Sequence, residues 1–142
     1  MPGAIHILNG PNLDLLGLRE PHIYGHTTLA QVEAMCRDAA QGDLLFAQTN
    51  HEGEMIEMIH AAFGTAAGII INPAGWSFRS IAIRDALAAF GGPVIELHIS
   101  NIHARDAAHR DSLISPVATA VIAGLGAQGY PVAMDALYRL IS

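Results

Sequence analysis

The residues most able to do acid–base work are Glu96 and His98, in the run Glu96-Leu97-His98. On an extended strand, side chains two apart share a face, so this carboxylate and this imidazole can lie side by side. A carboxylate partner orients the ring and favours its protonated form, which suits a general acid. The bland alternative is a buried polar pair closing a strand. Ile99-Ser100-Asn101 follows directly and offers backbone N–H groups and a hydroxyl, a ready cradle for a carboxylate. A second group, Asn9, Asn12, Arg19 and Tyr24, falls in a loop rich in Gly, Pro and Asn. Forming a tyrosine phenolate at pH 7 ordinarily costs about 4 kcal/mol. A neighbouring arginine recovers part of that cost, and Gly17 and Gly25 could let the pair close over a substrate.

Other constellations are weaker. Gly124-Leu125-Gly126-Ala127-Gln128-Gly129 fits G-x-G-x-x-G, but a dinucleotide fingerprint belongs in a first βα unit with an acidic residue about 20 positions later. Here 13 residues follow Gly129, so tight strand-to-helix packing is the better reading. His98, His103 and His109 match no metal-ligand spacing. His51 with Glu52 and Glu54 reads as a helix N-terminus, where carboxylates favour the dipole.

The elements that must position these residues alternate regularly. Strand-like runs cover Ala4 to Leu8, Leu44 to Thr49, Gly68 to Asn72, Pro93 to His98 and Val117 to Ala123. Helical spacing covers Thr28 to about Gly42, Glu52 to Phe63, Ser80 to Phe90 and about Gln128 to Ile141. Such alternation predicts an α/β domain, residues 1–142, with a five-stranded parallel sheet and helices on both faces. In these sheets the site lies at the carboxyl ends of the strands. That selects four loops: Asn9–Tyr24, Asn50–Glu54, Asn72–Ser80 and His98–His109.

Composition narrows the partners. The 142 residues carry a formal charge of −6 with only seven Lys and Arg, which argues against nucleic-acid binding. They are 51% hydrophobic, with a mean hydropathy of +0.34, yet no apolar run approaches a membrane span. The apolar excess points to a homo-oligomer. The lone cysteine, Cys36, and the strand-like opening run without a signal-peptide pattern fit a cytoplasmic protein.

The motifs NGPNLDLLGLREPHIYG, NHEGE, NPAG with IRDAL, ELHISNIHAR and SPVATAVIAGLGAQGY occur in this order. Together they resemble the type II 3-dehydroquinate dehydratases over nearly the whole chain. The resemblance implies a flavodoxin-like fold, a dodecamer assembled as a tetramer of trimers, and no cofactor or metal. It also implies an anti elimination of water from 3-dehydroquinate through an enolate, in the shikimate or quinate pathway. Tyr24 would then be the base, with Arg19 favouring its phenolate, and Asn12 would hold a water against the enolate oxygen. His98, oriented by Glu96, would protonate the leaving hydroxyl. Asn72, the Ile99 backbone and Ser100 would bind the substrate carboxylate, and Asp85 would reach a neighbouring subunit's site.

Two positions depart from the pattern. The family reads NPAG-Tyr-Thr-His-Thr-Ser where this chain has NPAG-Trp76-Ser77-Phe78-Arg79-Ser80, so Phe78 replaces a substrate-binding histidine. His109 stands where the family has an arginine four residues after Arg105. Three readings follow. Arg79, His109 or Arg110 restores the contacts to the ring hydroxyls, or the chain is a paralogue acting on a different hydroxylated carboxylate, or it binds carboxylates without turnover.

Overall fold

Runs of isoleucine, leucine and valine pair into a five-stranded sheet: β1 (Ile5–Asn9), β2 (Leu44–Gln48), β3 (Gly68–Asn72), β4 (Val94–His98) and β5 (Ala120–Ala123). All pairings are parallel, in the order β2-β1-β3-β4-β5. This computed structural model describes residues 3–142. The helices are α1 (Pro21–Tyr24), α2 (Leu29–Ala39), α3 (Glu52–Ala62), α4 (Ile81–Phe90) and α5 (Gly129–Ile141).

Period-two alternation divides the core. Ile5, Ile7, Ile70, Ile95 and Leu97 face α2 and α5, whereas Leu8, Ile69, Ile71 and Val94 face α3 and α4. Because β1 and β3 are covered on both sides, every one of their residues is buried. Each fully buried isoleucine contributes about 2 kcal/mol of transfer free energy. The helix starts are locally encoded. Thr28 and Gln31 form a reciprocal capping box on α2, and the Ser80 hydroxyl accepts from the Ile83 N–H at the start of α4. Glu52 and Glu54 occupy the first turn of α3, after His51.

The chain runs from β1 outward to the edge strand β2, then crosses back to place β3 on β1's other side. This reversal opens a crevice beyond the carboxyl ends of β1 and β3, where a parallel sheet can admit a ligand. Several element boundaries differ from the expectation, and Asn9 closes β1 rather than opening the loop. The fifth strand begins at Ala120 rather than Val117, because Pro116 sits in a 3-10 turn over Ser115–Val117. The first long loop is also not structureless, since it folds a 3-10 turn at Leu13–Leu15 and the single helical turn α1. No helix among the described residues is long and apolar enough to cross a membrane.

Candidate active site

A cavity of about 160 Å³ opens at that crevice. It gathers Asn12, Arg19 and Tyr24 from the loop after β1, Asn72 from the end of β3 and Phe78 from the loop after it. His98, Ile99, Ser100, Arg105 and His109 come from β4 and the segment beyond it. Of the four expected loops, Asn50–Glu54 does not line the cavity. It contributes at one remove, because the Asn50 side-chain carbonyl accepts the Asn12 N–H at 2.9 Å. Asp85 is also outside the lining, exposed on α4 beside Arg84.

The β4 side is buried and heavily bonded. Glu96 and His98 share a face, as period two requires, and His98 Nε2 lies 2.6 Å from Glu96 Oε2. The same carboxylate accepts hydroxyl protons from Ser112 at 2.6 Å, Ser115 at 2.5 Å and Ser77 at 3.1 Å. Burial alone would push the Glu96 carboxyl up. The hydrogen bonds from His98, Ser112 and Ser115 outweigh it and hold the carboxyl below its ordinary range. Ser112 leaves little choice in this assignment. Its oxygen already accepts the Ile114 and Ser115 N–H groups, so its own proton points to Glu96. An ionised Glu96 accepts the Nε2–H of His98, so a second ring proton can be carried only on Nδ1.

The loop side is more open. The Arg19 guanidinium carbon lies 4.9 Å from the centre of the Tyr24 ring, and that of Arg105 lies 5.5 Å from it. Both guanidinium groups thus lie against one phenol ring at the edge of the cavity. A phenol oxygen with cationic neighbours can take a proton from an acidic carbon. An imidazole locked to a carboxylate can give one to a leaving group.

A model of the family described as dehydroquinase class II matches residues 3–138. This chain is a class II dehydroquinase by family. It is 56% identical over 139 residues to a 3-dehydroquinate dehydratase 2 of Agrobacterium fabrum, covering 96% of this chain and 95% of that one. It is 50% identical to a 3-dehydroquinate dehydratase 2 of Pseudomonas putida, covering 99% and 97%. A crystal structure of a type II dehydroquinase from Propionibacterium acnes superimposes with a TM-score of 0.93 at 43% identity, covering 98% of each chain. The architecture is the flavodoxin-like α/β fold, and the family is one of hydro-lyases.

In this chain the departing stretch after β3 divides into three. Trp76 packs against the α3–α4 core rather than facing the cavity. Arg79 is exposed and outside the lining, as is Arg110, whose Nε donates to the Arg105 carbonyl at 2.6 Å. Only Phe78 enters the cavity. Its ring stacks on His98 at 6.1 Å and meets His109 edge-on at 5.5 Å. His109 Nδ1 is in turn bonded to Asp106. The two departures from the family pattern therefore touch each other. Arg105 and the three serines on Glu96 were not singled out in advance. For Arg105 the signal was its place in the loop after β4; the serines, 16 to 19 residues from Glu96, carried none.

Proposed function

We infer that this chain is a 3-dehydroquinate dehydratase that eliminates water from 3-dehydroquinate to give 3-dehydroshikimate. The observation that carries the reading is the pairing across one cavity of Tyr24, beside Arg19 and Arg105, with His98, held by Glu96. The Tyr24 oxygen removes the proton next to the ketone; the C–H electron pair becomes a C=C bond as the carbonyl π pair moves onto oxygen, giving the enolate. Asn12 serves that oxygen through a water. The enolate then re-forms the ketone and expels the β-hydroxyl, which takes the proton from His98 Nδ1 and leaves as water. His98 ends neutral with its remaining proton on Nε2, the form that Glu96 holds. Asn72, the Ile99 backbone and Ser100 bind the substrate carboxylate, while Phe78 and His109 form the wall against the far side of the ring. No cofactor or metal takes part in this scheme.

Residues 1–142 act as one catalytic domain in the cytoplasm, assembled as a dodecamer of four trimers. Leu18, 80% exposed, and Ile81, 55% exposed, supply apolar surface for such contacts. Asp85, on the exposed side of α4, serves a neighbouring subunit's cavity. Light scattering on the eluted protein should give a mass near twelve protomers, and a stable active monomer would refute the assembly. The test of the reaction is growth of conjugated-enone absorbance when purified protein meets 3-dehydroquinate. No signal at millimolar substrate would overturn the assignment.

A further inference from the structure

The segment Gly124–Tyr130 lines no part of the reacting end of the cavity, yet it contacts both arms of the carboxylate cradle. Tyr130 is fully buried at the start of α5. Its hydroxyl donates to Asn9 Oδ1 at 2.7 Å and accepts from Asn72 Nδ2 at 3.0 Å. The direction of this chain is fixed from its far end, because Asn9 Nδ2 donates to the Ala47 carbonyl of β2 at 2.9 Å. Asn9 must therefore present its oxygen to Tyr130, Tyr130 must spend its proton there, and Asn72 must turn its nitrogen towards Tyr130. The Asn72 Oδ1 takes the Ala74 N–H at 3.3 Å. One amide proton of Asn72 is left for a ligand. Burial pushes the Tyr130 hydroxyl well above its ordinary range, outweighing the Asn72 hydrogen bond, so it remains a neutral donor throughout the working pH range.

The glycines hold the other arm. The Gly126 N–H donates to the Ile99 carbonyl at 3.0 Å, and the Gly124 N–H to the His98 carbonyl at 3.3 Å. Both glycines are left-handed, with φ of +66° and +90°, and a Cβ on Gly124 would stand 3.2 Å from Asn101 Cβ. We propose that Gly124–Tyr130 is the positioning element of the carboxylate cradle. Tyr130 sets which face of the Asn72 amide meets the substrate, and Gly124 with Gly126 sets the backbone of Ile99 and Ser100. The proposal rests on reading Asn72, Ile99 and Ser100 as the carboxylate site. It assigns the glycine motif a part in binding that packing alone does not give it.

The test compares Tyr130→Phe, Asn72→Ala and the double variant by steady-state kinetics and by calorimetry with quinate. Quinate carries the carboxylate and ring hydroxyls but no ketone, so it binds without forming an enolate. Tyr130→Phe should raise both KM and the quinate Kd about tenfold, as expected for one mispositioned hydrogen bond. Its kcat should stay within about threefold and keep its pH profile, because the carboxylate contact is equally strong in ground and transition states. In the Asn72→Ala background the same change should cost less than about twofold. Gly126→Asn, which tolerates the left-handed backbone, should weaken quinate less than Gly126→Ala. A lowered Tm with unchanged KM and Kd would overturn the role of Tyr130, as would an equal penalty in the Asn72→Ala background. Equal losses for the two Gly126 variants would overturn the glycine half. Wild-type protein that binds quinate in this pattern without turning over 3-dehydroquinate would sink the proposed function alone. Wild-type protein that binds no quinate would remove the cradle, and this inference with it.

Discussion

The two sides of the cavity are built differently. His98 and Glu96 stand on a buried strand, and one carboxylate there collects four donors from four separate residues. Tyr24 stands at the end of a single helical turn, flanked by Glu20 at φ +41° and Gly25 at φ +82°. Its hydroxyl makes no hydrogen bond among the described residues, and the loop is pinned mainly by buried Leu13 and Leu16. On the strand side the fold dictates orientation and protonation. On the loop side the geometry is left for the substrate to complete, which a closing segment permits and a strand does not. Function and stability should therefore separate on one side and coincide on the other.

The sharpest break is Tyr24→Phe. Loss of the base should lower kcat by about 1,000-fold, within the range of general acid–base effects. Stability should change by less than about 0.5 kcal/mol, since no protein hydrogen bond is lost. Enone absorbance and a urea midpoint check the two halves, and retained turnover would move the base elsewhere. Glu96→Gln should do both kinds of damage. Its amide nitrogen would face at least one of the hydroxyl donors, so unfolding free energy should fall by about 2–4 kcal/mol. The kcat should drop about 100-fold as His98 loses its anchor. If Glu96→Gln cost activity alone, the contrast between the two sides would fail.

The same contrast explains what could be read in advance. Glu96 and His98 were legible because a strand has a fixed period and both residues lie on it. The five strands were legible because both faces of a parallel sheet are buried and read as unbroken apolar runs. The serines on Glu96 were not, because loops of no fixed period deliver them. Tyr130 is 121 residues from Asn9 and 58 from Asn72, and at the start of an amphipathic helix it reads simply as a core aromatic. Arg105 lies in a loop that the sheet rule did select, but its approach to Tyr24 bridges two loops, whereas Arg19 and Tyr24 share one. Trp76, Phe78 and Arg79 looked like a unit in the chain, but a 3-10 turn over Ala74–Phe78 sends them to the core, the cavity and the solvent.

Phe78 caps the strand side of the cavity, since its ring covers His98 and touches His109 on the segment beyond β4. Replacing both, Phe78→His with His109→Arg, should lower the KM for 3-dehydroquinate by up to about tenfold, because the far wall gains donors for ring hydroxyls. As the two rings are in contact, the single changes should not add to the double. An unchanged KM in the double variant would mean that the present wall already serves those hydroxyls, and additive singles would deny the coupling.

The smallest effect concerns two buried titrating groups whose pH windows open at different values. Burial holds the His6 imidazole below its ordinary value of 6.5, and its Nδ1 is buried without a hydrogen bond. The Glu96 carboxyl lies below its ordinary value of 4.5. In both cases the unfolded chain binds more protons than the native one, so stability rises with pH. The His6 contribution is complete above pH 6.5 and declines as pH falls from there. The Glu96 contribution is complete above pH 4.5 and declines only below it. Urea midpoints for the wild type should therefore fall in two stages between pH 8 and pH 3. His6→Phe should flatten the first stage and leave the Glu96 decline below pH 4.5 in place. Glu96→Gln should do the reverse, on an already lower baseline. A single acid transition unaffected by His6→Phe would show that the buried His6 contributes nothing and that the Glu96 network alone carries the acid sensitivity.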